Sequence, residues 1–193
     1  MSEYREYLTN LDLPSITGGL GGTGNGGTTI ISGSGGGTKT YGKFSPRDFF
    51  PSPTGSAAIG TRASAPVIVF SESVLETAVF ADVMPEGASL SNGVDIEIKW
   101  SADSSAGSCT WAAELMKLDG RNPLVDTYAS ASTITTPAPS GLLATTIISV
   151  SNSNVDSIDE SNAYRLKLYR NSTDGADTMT GDAFFYFASI NGK

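Results

Sequence analysis

Residues 94–118 constrain the fold more than any other stretch. They read V-D-I-E-I-K-W, then S-A-D-S-S-A-G, then S-C-T-W-A-A-E-L-M-K-L. Val94, Ile96, Ile98 and Trp100 share one parity; Asp95, Glu97 and Lys99 share the other. A period of two marks a strand with one face buried and one face wet. The middle run is small, polar and glycine-containing, so it is a loop. The second run restarts with Trp111, Ala113 and Leu115 on one side and Thr110, Ala112 and Glu114 on the other. The stretch predicts an antiparallel hairpin whose tryptophans, Trp100 and Trp111, plug one core. Residues 112–118 have high helix propensity, but the Cys-Thr-Trp lead-in and the partner strand favour pairing.

The same pattern recurs around it. V-I-V-F (67–70) reads as a short buried strand. T-A-V-F-A-D-V-M (77–84) is the next, stopped by Pro85 and a turn at Glu86-Gly87. Residues 119–141, with Pro123, Pro137 and Pro139, read as a long connection. L-L-A-T-T-I-I-S-V (142–150) is rich in β-branched residues and reads as a strand. Residues 151–162 are polar; Val155 and Ile158, with Asp156, Asp159 and Glu160, fit one helical turn. Tyr164, Leu166 and Leu168 then alternate with Arg165, Lys167 and Tyr169. After a turn at residues 171–178, D-A-F-F-Y-F-A-S-I (182–190) closes the domain. About seven or eight strands with turn signals between them predict an all-β domain over residues 66–193, a two-sheet sandwich of Greek-key or jelly-roll type. A domain of that size buries roughly two thirds of its unfolded surface and needs neither metal nor disulfide to fold.

The residues ahead of it are of another kind. Eleven of the chain's 22 glycines fall in residues 17–37. Gly22, Gly24 and Gly27 echo a dinucleotide fingerprint, but no strand precedes them and no helix follows. The run reads as an extended tether, on the order of 25 Å as a coil and roughly 70 Å when straight. Residues 38–65 carry Tyr41, Phe44, Phe49, Phe50 and Ile59 among Pro46, Pro51 and Pro53, a proline density that opposes helix and central strand. They read as aromatic coil lying along another surface, so residues 17–65 form one arm. Within residues 1–16, Tyr4, Leu8 and Leu11 have helical spacing, but the segment is too short for a stable isolated helix. It is either a frayed terminus or a docking peptide that orders on a partner. The residues expected to dock are Tyr4, Tyr7, Leu8, Leu11, Phe44, Phe49 and Phe50.

Charge and composition exclude several functions. Net charge is −8 with 12 scattered basic residues, which is the wrong footprint for nucleic acid or an anionic membrane surface. No apolar run reaches the length of a membrane span. The N-terminus lacks the basic and apolar regions of a signal peptide, so synthesis in a cytoplasm is expected. The chain has no histidine and one cysteine, so Ser-His-Asp and Cys-His arrangements cannot occur and no internal disulfide can form. Cys109 reads as a buried, inert thiol. Glu72 with Glu76, or Asp95 with Glu97, are the carboxylate pairs that glycoside hydrolysis would need. The latter lie on the wet face of a strand, where acids are usually just solvated. Asp156, Asp159 and Glu160, or Asp174 and Asp177, are candidate calcium ligands, but neither set matches an EF-hand loop, and a polar turn is the simpler reading. No enzyme, cofactor, metal or small-molecule substrate is expected.

The order F-S-E-S-V-L-E-T-A-V-F-A-D-V-M-P-E, V-D-I-E-I-K-W-S-A, Y-R-L-K-L-Y-R-N and D-T-M-T-G-D-A-F-F-Y-F-A-S-I resembles small β-sandwich domains in virion proteins of tailed bacteriophages. These are capsid decoration (cement) proteins, head fibres and tail-associated fibres. The resemblance covers residues 66–193 and lies in strands and turns, not in a catalytic motif. It implies a homotrimer on the capsid surface of the virion, bridging subunits of the major capsid protein. The arm agrees with that reading, because weak contacts joined by tethers gain avidity of about 10²–10⁴. Two rivals stand beside capsid cementing. One is a head or tail fibre or adaptor whose sandwich binds a receptor or glycan; the other is a hydrolase of cell-wall glycans.

Overall fold

The two alternating strands of residues 94–118 both form, but they do not pair with each other. The computed structural model describes residues 38–193 except Pro53, Pro123, Leu124 and Ser140. Its strands are β1 (Thr40–Phe44), β2 (Phe50–Pro51), β3 (Ala58–Arg62), β4 (Ala65–Phe70), β5 (Glu76–Val83) and β6 (Val94–Ala102). They continue with β7 (Ser108–Lys117), β8 (Ser132–Pro137), β9 (Ala144–Val150), β10 (Ala163–Arg170) and β11 (Ala183–Gly192). Short 3-10 turns lie at Pro46–Asp48 and Asn152–Asn154. One sheet runs β3-β4-β11-β6-β9, with β1 also paired to β11; the other runs β2-β5-β10-β7-β8. All named strand pairs are antiparallel. The fold is an all-β two-sheet sandwich.

The expected hairpin is therefore an arch. β6 is flanked by β11 and β9, whereas β7 is flanked by β10 and β8. The loop between them carries the chain from one sheet to the other, a step of about 10 Å. A hairpin would have set Trp100 and Trp111 side by side on one sheet face. The arch sets them opposite each other across the core instead, where both are fully buried.

The core follows the parities read from sequence. Val94, Ile96, Ile98 and Trp100 of β6 meet Cys109, Trp111, Ala113 and Leu115 of β7 and Tyr164, Leu166 and Leu168 of β10. Asp95, Glu97 and Lys99 face outward, partly exposed. Val155 and Ile158 are buried beside the Asn152–Asn154 turn, at 2% exposure each, and help close one end of the sandwich.

The domain also starts earlier than the sequence suggests. Residues 38–65 are not an arm: β1 pairs with β11, β2 with β5, and β3 with β4. Pro46 and Pro51 did not prevent this because they sit where a missing N–H costs little. Pro46 opens a 3-10 turn capped by Ser45 and Asp48, and Pro51 lies on the edge strand β2. Phe44 packs on Phe80 at 5.3 Å between ring centroids, and Phe80 on Phe185 at 5.6 Å. β8 was also hidden in the expected connection. It is an edge strand that buries little, so its S-T-I-T-T-P sequence shows no apolar alternation.

Candidate functional site

A β-bulge on β11 builds the most distinctive surface of the described chain. The run Phe184-Phe185-Tyr186-Phe187 would alternate two in and two out on a regular strand. Here the register slips between Phe185 and Phe187: Phe184 lies opposite Ser101, Phe185 opposite Trp100, and Phe187 opposite Lys99. Phe185 enters the core, while Phe184, Tyr186 and Phe187 are half-buried on the outer face. Ala188 and Ile190 then return to the core. An extra residue of this kind re-aims side chains and is common beside functional sites.

Polar groups frame these rings. The Arg62 guanidinium lies 4.1 Å from the centroid of the Phe184 ring and pairs with Asp103 at 2.8 Å. The hydroxyls of Ser101 and Tyr186 lie 3.3 Å apart. Lys99 Nζ reaches Glu97 at 2.6 Å and donates to Thr145 Oγ1 at 2.7 Å. The ion pairs are too solvated to hold the fold; pairs of this exposure contribute about 0–1 kcal/mol. They place charged and hydroxyl groups around a patch of aromatic carbon.

A buried latch fixes the segment that leads into β11. Arg170, the last residue of β10, donates from Nε and Nη2 to the Asp177 carboxylate at 3.0 and 2.7 Å. It also donates to the carbonyls of Gly181, at 2.7 Å, and Met179. Asp177 accepts a further bond from the Thr110 N–H at 2.9 Å. Both charged side chains are nearly inaccessible, at 1% and 2% exposure. Burial works against the Arg170 charge, but its hydrogen bonds to Asp177 together with the nearby charges of Asp177 and Glu72 outweigh that and hold its pKa above the usual value. The same burial pushes the Cys109 thiol upward.

The outer face of the second sheet has its own aromatics, but Lys167, Glu114 and Tyr169 engage one another there, while the buried Tyr128 hydroxyl has no hydrogen-bond partner. Lys167 Nζ sits 4.4 Å from the Tyr128 ring centroid and 5.8 Å from that of Tyr169, and it pairs with Glu114. Tyr169 donates to Glu114 at 2.9 Å. Burial, with help from Asp126, pushes the Tyr128 phenol up to about 12. The rings enclose the chain's own ammonium, which leaves less of this face for a ligand.

The docking residues chosen from sequence scatter. Tyr4, Tyr7, Leu8 and Leu11 lie outside the described residues. Phe44 is 2% exposed in the core and has no surface to offer a partner in this fold. Phe49 packs half-buried against the core, and Phe50 stands exposed on β2. The candidate carboxylates are engaged by other groups: Glu72 accepts from the Gly181 N–H, Glu76 accepts from the Ser71 N–H, Asp95 pairs with Lys193, and Asp156 pairs with Arg121. Among the described residues, no group of three His, Cys, Asp or Glu side chains could hold a metal ion. The aromatics of β11 were missed. Their signal was four aromatic residues in a row, twice what one face of a regular strand can take.

No protein-family model matches the chain, and no curated protein does. Several solved structures are similar to the chain at low TM-scores. One is a family 36 carbohydrate-binding module in complex with calcium and xylotriose, at 13% identity and a TM-score of 0.42 over 77% of this chain and 98% of that one. Another is a family 11 carbohydrate-binding module from Clostridium thermocellum in complex with a mixed-linked tetrasaccharide. It matches at 11% identity and a TM-score of 0.40 over 81% of this chain and 91% of that one. A third is an arabinose-bound α-L-arabinofuranosidase, at 13% identity and a TM-score of 0.44 over 75% of this chain but 23% of that one. These likenesses bear on neither ligand nor activity.

Proposed function

We propose that this chain is a structural protein of a virion whose sandwich is a non-catalytic carbohydrate-recognition module, fastened to the particle by its N-terminal segment. The observation that carries the reading is the outer face of β11. Phe184, Tyr186 and Phe187 form an aromatic patch, and Arg62, Asp103, Lys99, Glu97 and Ser101 supply polar groups around it. A sugar ring presents apolar C–H faces and an equatorial belt of hydroxyls. It needs aromatic carbon to stack on and fixed polar groups to orient it. The chain enters the domain at the other end of β11: the Gly192 N–H donates to the Lys39 carbonyl at 2.8 Å.

Titration of the full chain against a panel of bacterial surface glycans tests this. Tyr186→Ala and Phe187→Ala each weaken binding at least tenfold, or about 1.4 kcal/mol, without changing the fold seen by circular dichroism. Binding of no glycan, or binding untouched by both variants, removes the reading. Capsid cementing then moves ahead, with exposed Phe50 as its described contact. Hydrogen exchange in the presence of empty shells would show it as protection over residues 1–60.

A further inference from the structure

We infer that β9 is the edge at which two copies of this chain pair, antiparallel and about a two-fold axis, with Thr145 opposite Thr145 of the second copy. An edge strand presents unpaired backbone N–H and C=O groups, and proteins usually guard it with charge, proline or a bulge. The other edges here are guarded: β1 carries Lys43, β2 Pro51, β3 Arg62 and β8 Pro137. β9 is not. Its sequence A-T-T-I-I-S-V has no charge and no proline, and it pairs with β6 without a register shift.

The edge is also apolar on its outer face. Leu143 is 57% exposed and Ile147 49%, with Leu142 beside them at 73%. Thr145 and Ile147 are in phase along the strand, and Leu143 stands two residues before Thr145, just ahead of β9. A two-fold through Thr145 sets Leu143 of each copy against Ile147 of the other, with a threonine pair between them. Aliphatic and threonine pairs of this kind are favourable across antiparallel strands. Moving the axis to Ile147 would instead set Leu143 against Ser151, apolar against polar. The net charge of −8 repels copies elsewhere, but the nearest charges to this edge are already paired: Lys99 with Glu97 and Lys193 with Asp95.

The pairing does not depend on the carbohydrate reading, but it deepens it. The axis is normal to the sheet, so two six-stranded sheets join with both outer faces on the same side. The two β11 strands then lie five strand spacings apart, about 24 Å. Two weak sites held at that spacing act together on a repeating polymer.

Sedimentation equilibrium of the full chain, without sugar, is the test. The expected species is a dimer, twice the 20.0 kDa of one chain. Leu143→Lys combined with Ile147→Lys weakens its association at least tenfold; both positions are exposed, so the fold is retained. Thr145→Cys gives a covalent dimer on oxidation. Ser149→Cys does not, since the two copies of that residue are roughly 27 Å apart. A monomer, a trimer, a dimer indifferent to the double lysine variant, or equal cross-linking at the two cysteine positions each overturns the inference.

Discussion

Trp100 and Trp111 meet edge to face through the core, with ring centroids 5.3 Å apart and planes at 72°, although their strands belong to different sheets. Phe70 adds a second edge contact to Trp111, at 5.3 Å and 88°. The pair packs one layer against the other within the core.

The two indoles differ in one respect that stability measurements can read. Trp100 Nε1 donates to Thr146 Oγ1 at 2.9 Å, whereas buried Trp111 Nε1 has no hydrogen-bond partner. Trp100→Phe and Trp111→Phe remove the same volume. Only the first also breaks a buried hydrogen bond, so it destabilises by about 1 kcal/mol more. Urea unfolding of the two variants side by side checks this; equal costs would show that the bond contributes nothing.

The latch under β11 predicts a larger loss. Asp177→Asn leaves Arg170 buried at 1% exposure without its counter-charge. Breaking a buried pair from one side costs about 3–5 kcal/mol. Thermal melts of the variant should fall accordingly, and hydrogen exchange should rise first over residues 171–182. An unchanged melting temperature would mean the pair is not the anchor described.

The hydroxyl of Tyr164 is buried without a partner. Tyr164→Phe removes a desolvated polar group and no hydrogen bond, so it is neutral or stabilising by up to about 1 kcal/mol. Tyr169→Phe, which gives up the bond to Glu114, is destabilising. A drop in stability for Tyr164→Phe would reveal a contact that the geometry does not contain.

Alkaline pH should unfold the domain through its tyrosines. Tyr128 is raised to about 12 by burial, and burial raises Tyr164 and Tyr169 as well. A raised folded pKa means the folded state holds the proton more tightly. The stability tied to Tyr128 is complete below the ordinary phenol pKa of about 10 and is lost as pH climbs toward about 12. Chemical denaturation from pH 9 upward, on the order of one step per half unit, should show the midpoint falling in that window. The Tyr128→Phe variant should show a shallower fall.

Two glycines separate backbone strain from crowding. Gly107 has φ +82°, and a Cβ there would lie 2.4 Å from the Thr178 carbonyl oxygen. Gly120 has a similar φ of +74° with open space around it. Gly120→Ala therefore costs about 1 kcal/mol, and Gly107→Ala more than about 4 kcal/mol. Similar melting temperatures for the two would contradict the close packing of the 103–107 and 171–182 loops.

Strict alternation was enough to mark β6 and β10 and to assign their buried faces, because a period of two depends only on which side of the strand meets water. It also assigned both tryptophans to the core. Absence of histidine removed whole classes of chemistry before any coordinates were needed. What alternation cannot carry is partner choice. The same V-D-I-E-I-K-W and T-W-A-A-E-L patterns suit a hairpin or an arch, and only the competition among the eleven strands of the described residues decided for the arch. Edge strands other than β9 escaped notice for a related reason: β1, β2, β3 and β8 have one partner each, bury less, and tolerate the prolines and glycines that read as coil. The aromatic face was out of reach for the most local reason. One inserted residue in β11 turns Phe187 from the core to the surface, and a bulge is set by the register of neighbouring strands, which a single strand's sequence does not contain.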